Sequence, residues 1–425
     1  MNLNGGISME ISQSGDKWRV RYSVLAVLWL GWLFSFLDRM VISISLPFIG
    51  SDFNINSMAQ GAILSSFFAG YSIFQIPGGL LADKFGFRRI LSIGITWWSM
   101  FTTMTGMVLS YPTMLIVRCL FGLGEGCFPG ASWKAISTYF PRKQKGTATA
   151  IQSTVNTLGP AVASVVAAAI IAAYGWRRVF LLLGIPGVLI GVFIWFKFKD
   201  NPAEHPKMTK EELAELNQDF CEGEDKSRVS FKDFLAKPIL WQMVLIWFLF
   251  DITFWGFVSW LPTYLMKVRG FSLIKTGIYG SLPYLVGTVS IILGGYLSDH
   301  TKGQRKWLFI PNAFVSGLFL YLTYKAPTTN MCIVYQCIAS FFMFLAQGAF
   351  WGLVVDSMPP SIAGASTGTV NLGGQIAGFI SPFVMGYLIH VSGGSFDTAF
   401  IFIILAIIAS AMVAFTVDQS ASSYN

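Results

Sequence analysis

The sequence predicts an all-α integral membrane protein, with twelve transmembrane helices arranged as two parallel six-helix pseudo-repeats. Three observations predict it. Hydrophobic residues make up 54% of the 425 and charged residues only 12%, against roughly 25% charged in a soluble protein. The apolar residues fall in long runs, each near the roughly 20 that cross a bilayer as a helix. A Gly-Gly-x-Leu-x-Asp motif also recurs at equivalent places in the two halves, at residues 78–83 and 294–299.

Residues 1–21 are polar and read as a tail. The first apolar run, 22–47, is too long for a signal-peptide core, and no small-residue cleavage site with the expected flanks follows it. It is read as a retained first helix. Five more spans follow at 57–82, 89–109, 112–137, 147–173 and 176–197. A second set lies at 238–265, 274–298, 306–325, 330–355, 364–390 and 396–417. The chain thus divides into the tail, a half at 22–197, a central loop at 198–237, a half at 238–417 and a tail at 418–425. Within the loop, Thr209 and Glu212 have capping-box spacing and predict a short amphipathic helix.

A formal charge of +8 would point to nucleic acid in a soluble protein. In a membrane protein, basic residues collect in cytoplasmic loops instead. With the N-terminus inside, the cytoplasmic segments hold twenty Lys and Arg, and the opposite face holds six: Arg177, Arg178, Lys267, Arg269, Lys275 and Lys325. Both termini are therefore expected in the cytoplasm, and no nucleic-acid partner is expected. The five cysteines and three histidines are scattered, without a CxxC pair or a Cys/His cluster. Neither a disulfide framework, a metal site nor any other cofactor is predicted. No nucleophile–base set emerges either, so the chain is not expected to be an enzyme.

Each copy of the repeated motif precedes a basic cluster: Lys84, Arg88 and Arg89 in the first, Lys302, Arg305 and Lys306 in the second. The same end of the same helix carries it in the same sense. That is a parallel repeat about an axis along the membrane normal, which suits two halves rocking about a central site.

Ionisable residues inside the spans cost a few kcal/mol each at the bilayer centre and should face a cavity or a partner. They are Asp38 and Arg39 in the first span, Arg118 and Glu125 in the fourth, and Asp251 in the seventh. Lys134 and Asp356 lie nearer helix ends and read as snorkelling or end-of-helix charges. Arg118 and Glu125, seven residues apart, share one helical stripe. Arginine offers a fork that matches a carboxylate, and a nearby glutamate can take up or release a proton as an anion occupies it. Such a stripe can couple anion and proton binding; a buried ion pair that only ties helices together is the plainer alternative. Asp38 and Arg39, adjacent, point about 100° apart. One is expected to line the cavity and the other to bond a neighbouring helix, with Arg39 assigned to substrate and Asp38 to proton coupling.

Gly79-Leu-Leu-Ala-Asp83-Lys-Phe-Gly86-Phe-Arg88-Arg89 resembles the signature loop of the major facilitator superfamily. The resemblance implies a conformational latch formed by Gly79, Asp83, Gly86, Arg88 and Arg89, with Asp299 in the second copy. Phe36-Leu-Asp38-Arg39, Gln75-Ile-Pro-Gly-Gly79, Arg118 with Gly122, and Gly124-Glu125-Gly-Cys-Phe128-Pro129 resemble its anion:cation symporter family. Bacterial members carry sugar acids and are typically proton symporters. By that match Arg39 binds carboxylate, Asp38 and Glu125 carry protons, and Arg118 partners Glu125. Tyr71, Asn156, Trp351, Asn371 and Gln375 then supply neutral polar and aromatic groups to the substrate. The same residue types also glue helices together in membranes.

Two positions depart from the pattern. Phe36 stands where sugar-acid transporters usually have tyrosine, and Gly-Cys-Phe-Pro follows Glu125 in place of Ala-Pro-x-Phe-Pro. Asp251 has no counterpart in the family pattern. It reads as an extra proton site, as a contact for a donor-rich or cationic part of the substrate, or as a group hydrogen-bonded within the bundle. The resemblance implies a multi-pass protein of the bacterial inner membrane, importing a small organic anion by proton symport and alternating access. An aldonate, aldarate or hexuronate is favoured. Another mono- or dicarboxylate, including an aromatic one, or a drug/proton antiporter of the same fold, is the alternative. Expected partners are the anion, protons and membrane lipid, with the monomer as working unit.

Overall fold

The computed structural model describes residues 19–218, 234–301, 304–358 and 362–418. Cys221 and the basic residues Lys17, Lys226, Arg228, Lys232 and Lys302 lie outside them, as do residues 1–18 and 419–425 of the two tails. The first half comprises α1 (Val20–Asp52), α2 (Ser57–Phe85), α3 (Phe87–Met107), α4 (Tyr111–Gly126), α5 (Phe128–Tyr139), α6 (Arg142–Ser153), α7 (Val155–Tyr174) and α8 (Trp176–Lys197). The connecting segment contributes α9 (Lys210–Gln218), whose Glu212 amide donates to Thr209 Oγ1 at 3.2 Å. The second half comprises α10 (Pro238–Lys267), α11 (Leu273–His300), α12 (Lys306–Lys325), α13 (Thr329–Ser357), α14 (Ala363–Val391) and α15 (Asp397–Phe415).

With α4 and α5 counted as one interrupted rod, and α6 and α7 as another, the described residues form six long rods in each half. Ten of the twelve are long and apolar enough to cross a membrane; α2 and α3 have the length and fall short on composition alone. Proline explains the first interruption. Pro129 has no N–H to give to the carbonyl of Glu125, so the helix ends at Gly126 and restarts at Phe128. At the second, the Thr154 hydroxyl accepts from Trp29 Nε1 of α1 at 3.0 Å, and Gln152 Nε2 donates to the Leu28 carbonyl at 3.1 Å.

The repeat reaches down to helix caps. Asn56 and Ser110 accept amide hydrogens at the starts of α2 and α4, and Ser272 and Thr328 do so at the starts of α11 and α13. Each cap satisfies donors that a helix start leaves free. All four sit at the end of the bundle opposite Asp83 and Asp299.

The halves meet through α2 with α14 and α7 with α11. At that capped end the helices touch backbone to backbone. A Cβ on Gly61 would fall 2.5 Å from the Pro382 carbonyl oxygen, and one on Gly386 2.5 Å from that of Ser57. A Cβ on Gly277 would fall 2.7 Å from the Ser164 carbonyl oxygen. Eighteen residues on, about five turns along the same faces, stand Gly79 on α2 and Gly295 on α11. A Cβ there would meet nothing within 4 Å. The molecule is closed at the capped end and parted at the end that carries Asp83 and Asp299.

Candidate functional site

Two charged groups of the first half, Arg39 and Glu125, meet at one point. Close packing of α4 on α2 puts them there: a Cβ on Gly126 would fall 2.5 Å from the Tyr71 carbonyl oxygen, and one on Gly122 would collide with that of Phe67. Small residues four apart allow such an approach in membranes. Arg39 Nε then donates to Glu125 Oε1 at 2.5 Å, with both side chains buried. Ser35, one turn before Arg39, donates to the same oxygen. The Arg39 guanidinium lies over the rings of Tyr71, Phe67 and Phe36, at 4.6, 5.0 and 5.3 Å.

Asp38 faces the other way, as adjacent helical positions must. Its Oδ2 accepts from Thr102 Oγ1 of α3 at 2.9 Å. Arg118 rests over Phe121 at 4.4 Å. The expected Arg118–Glu125 partnership is thus corrected: the long Arg39 side chain reaches the glutamate, and no ion pair joins it to Arg118, two turns away on its own helix, among the described residues. Both arginines border a cavity of about 20 Å³ lined also by Ser43, Phe67, Trp255 and Ser259. That is space for one water, not for a substrate. Arg39 Nη2, Arg118 Nε and Nη1, Asp38 Oδ1 and Glu125 Oε2 are buried without a hydrogen-bond partner among the described residues. Buried charged groups left open in this way are costly unless something completes them.

The remaining expected residues divide. Tyr71 belongs to the Arg39 cluster. Asn156 is half-buried in the first turn of α7 and makes no hydrogen bond with that cluster among the described residues. Trp351 packs edge-on against Trp247 of α10 at 5.0 Å, beside Asp251, and Gln375 is buried on α14, one turn past Asn371.

At the parted end, Lys134 Nζ donates to Asp83 Oδ1 at 2.9 Å and to the Ala82 carbonyl at 3.0 Å. Gly86 takes a φ of +87°, and the Arg88 amide beyond it donates to Asp200 at 2.9 Å. Arg89 is exposed. In the second half Arg305 reaches Asp356 at 2.8 Å and Asp299 at 3.7 Å. Lys134 and Asp356, read from sequence as unremarkable helix-end charges, therefore pair with the motif network. Sequence reasoning also missed Ser35 and Thr102. The four-residue spacing of Ser35 from Arg39 was a usable signal; Thr102 comes from another helix and left none.

Residues 28–382 match the family model described as Major Facilitator Superfamily. The probable sulfoacetate transporter SauU of Cupriavidus necator is 30% identical over 391 residues, 90% of either chain. The probable galactarate/D-glucarate transporter GudP of Bacillus subtilis is 31% identical over 419 residues, 92% of this chain and 90% of its own. The hexuronate transporter of the same organism is 27% identical over 387 residues, 89% and 90% of the two chains. Among solved structures, a bacterial homolog of the human lysosomal transporter Spinster aligns with a TM-score of 0.75 at 20% identity, covering 95% of this chain and 96% of that one. A D-xylose–proton symporter aligns at 0.73 and 16%, covering 95% and 99%. A helical membrane bundle in two repeats, a charged centre and these relatives agree: the chain belongs to the major facilitator superfamily, in its anion:cation symporter family, and is a multi-pass organic-anion transporter.

Proposed function

We propose that the protein imports a small carboxylate together with protons, a sugar acid before other acids, by alternating access about the Arg39 site. The observation that carries this is the charge balance of the buried group. Arg39 and Arg118 are matched by Asp38 and Glu125, and unpartnered atoms of all four remain. A carboxylate arriving at the arginines adds one negative charge, and one proton on Glu125 or Asp38 restores neutrality. Burying an uncompensated charge costs several kcal/mol, so anion without proton, or proton without anion, is held back. Relatives named for hexuronate, with one carboxylate, and for galactarate/D-glucarate, with two, support sugar acids as the class and do not fix the number of carboxylates.

Charge bias also supports an orientation, with the parted, basic end in the cytoplasm along with both termini. The form described here then faces inward. In this reading the Asp83 and Asp299 networks hold the basic end together when the halves rock shut there.

Uptake in proteoliposomes tests the proposal. Concentrative uptake of the carried acid is expected under an inward proton gradient, to vanish with a protonophore, and to fail in Arg39→Ala. Gradient-independent accumulation, or unimpaired Arg39→Ala, sinks it.

A further inference from the structure

The second half carries a buried carboxylate that the charge balance above does not use. Asp251 is 4% exposed on α10, and no ion pair reaches it among the described residues. Every described Lys and Arg between residues 238 and 418 stands at a helix end or in a loop. Among the described residues, the membrane interior of this half therefore holds a carboxylate and no basic group.

Its place is built. A side chain on Gly374 of α14 would collide with Asp251 Oδ2 and come within 2.5 Å of Trp247 Nε1. The carboxylate and the indole N–H converge on the notch that glycine leaves. Gln375, next along α14, is 6% exposed, and among the described residues its Oε1 has no hydrogen-bond partner; neither does Trp247 Nε1, on a side chain 4% exposed. Along α10, Asp251, Trp255 and Ser259 are spaced by four and form one stripe. The last two line the cavity that Arg39 and Arg118 border. Asp251 is the next position along the wall that faces the arginines.

We infer that Asp251 selects the far end of the substrate: the protein takes acids with one carboxylate, at the arginines, and neutral hydroxyl donors at the other end, and rejects acids with a second negative charge there. The inference rests on the carboxylate reading of Arg39. Hydroxyl donors suit this end of the α10 wall, since they donate to Asp251 and accept from Trp247 Nε1. A far carboxylate meets no cation. If Asp251 is ionised the two repel; if it holds a proton it offers one donor, far short of a guanidinium fork. The second negative charge is then buried uncompensated.

Matched pairs on the same skeleton decide it. Binding of gluconate against glucarate, and benzoate against terephthalate, is measured by thermal shift on the purified full-length protein. The wild type is expected to favour the monocarboxylate of a pair at least about tenfold, and Asp251→Asn to bring the pair within about threefold, since a tenfold ratio is one elementary step of about 1.4 kcal/mol. Equal or tighter binding of the dicarboxylate by the wild type overturns the inference, as does an unchanged ratio in Asp251→Asn. The wild-type ratio needs no variant to fold, and Asp251→Ser offers a second one. Arg39→Ala separates the two ideas. If it leaves gluconate binding intact, the carboxylate reading fails while the Asp251 ratio still stands as measured; if no acid binds the wild type, both fall.

Discussion

The two halves share a helix plan and differ in what they bury. The first encloses two arginines and two carboxylates in one region of the bundle; the second encloses one aspartate among tryptophans, amides and small residues. Their shared plan extends to caps and interface glycines, which set how the halves meet. Their difference lies in the walls of the central space. On the proposed function, concentrating charge in one half would let a single unit hold the carboxylate and the proton sites in fixed geometry, while the other half approaches and withdraws without breaking ion pairs.

Removing charge from the first half is the most direct way to break that division. Arg39→Ala and Arg118→Ala are each expected to lower apparent affinity about 30- to 5000-fold, the range for deleting one member of a buried charge pair. Trp351→Ala and Asn371→Ala in the second half should cost about tenfold or less. Saturation curves for labelled substrate in vesicles check this, and equal losses on both sides would erase the distinction.

Glu125→Gln sharpens the division within the first half. It keeps the shape that accepts from Ser35 and faces Arg39, and removes the proton. Counterflow between equal pools, which needs no net proton movement, should stay within about threefold of wild type. Accumulation driven by a proton gradient should fall at least about fivefold, as a coupling free energy of 1–3 kcal/mol implies. Equal loss of both activities would make Glu125 structural.

The halves' alikeness gives a third handle. Gly61→Val should wedge open the closed contact at Pro382, and Gly79→Val should obstruct closure at the parted end while leaving this form untouched. Labelling of a cysteine placed in the central cavity, by a reagent that cannot cross the membrane, should rise several-fold from outside with Gly61→Val. With Gly79→Val it should fall. A conformational preference of about 1 kcal/mol suffices for either shift. Changes in the same direction would dismiss the two-ended reading.

Much of this was legible in the sequence because it is set locally. The predicted span 306–325 coincides with Lys306–Lys325, and the Gly-Gly-x-Leu-x-Asp repeat stands at corresponding helix ends. Pro129 marks the interruption beside Glu125 in plain view. What sequence could not assign was which partner each buried charge takes. Seven-residue spacing links Arg118 to Glu125 along one helix, but how deeply α4 sinks onto α2 and where α1 crosses it decide that Arg39 arrives first. The Gly122 and Gly126 contacts fix that depth, and their partner backbone at Phe67 and Tyr71 is 55 residues away in each case. The Lys134–Asp83 pair was hidden for the same reason: helix-end charges are common, and only the packing of α5 beside α2 brings these two together.

The smallest expected effect concerns the halves' basic ends, where the first carries a piece of the connecting segment. Arg21, 1% exposed at the start of α1, reaches Glu215 of α9 at 2.6 Å and Glu212 at 3.5 Å, and Arg19 joins Glu215 at 2.9 Å. Burial pushes the Glu215 carboxyl up, but the hydrogen bonds and charges of Arg21 and Arg19 outweigh it and hold it below its ordinary 4.5. A lowered carboxyl contributes its full stabilisation above the ordinary value and loses it as pH falls through the lowered one. Docking of α9 should therefore be constant from about pH 8 to 5 and loosen only below about pH 4. Because Glu215 is 37% exposed, solvent screening keeps its share below about 1 kcal/mol. The distance between spin labels on α1 and α9 reads this directly, and Glu215→Gln should flatten its pH dependence. Lengthening already between pH 8 and 5 would mean that some group other than Glu215 fastens the segment to the first half.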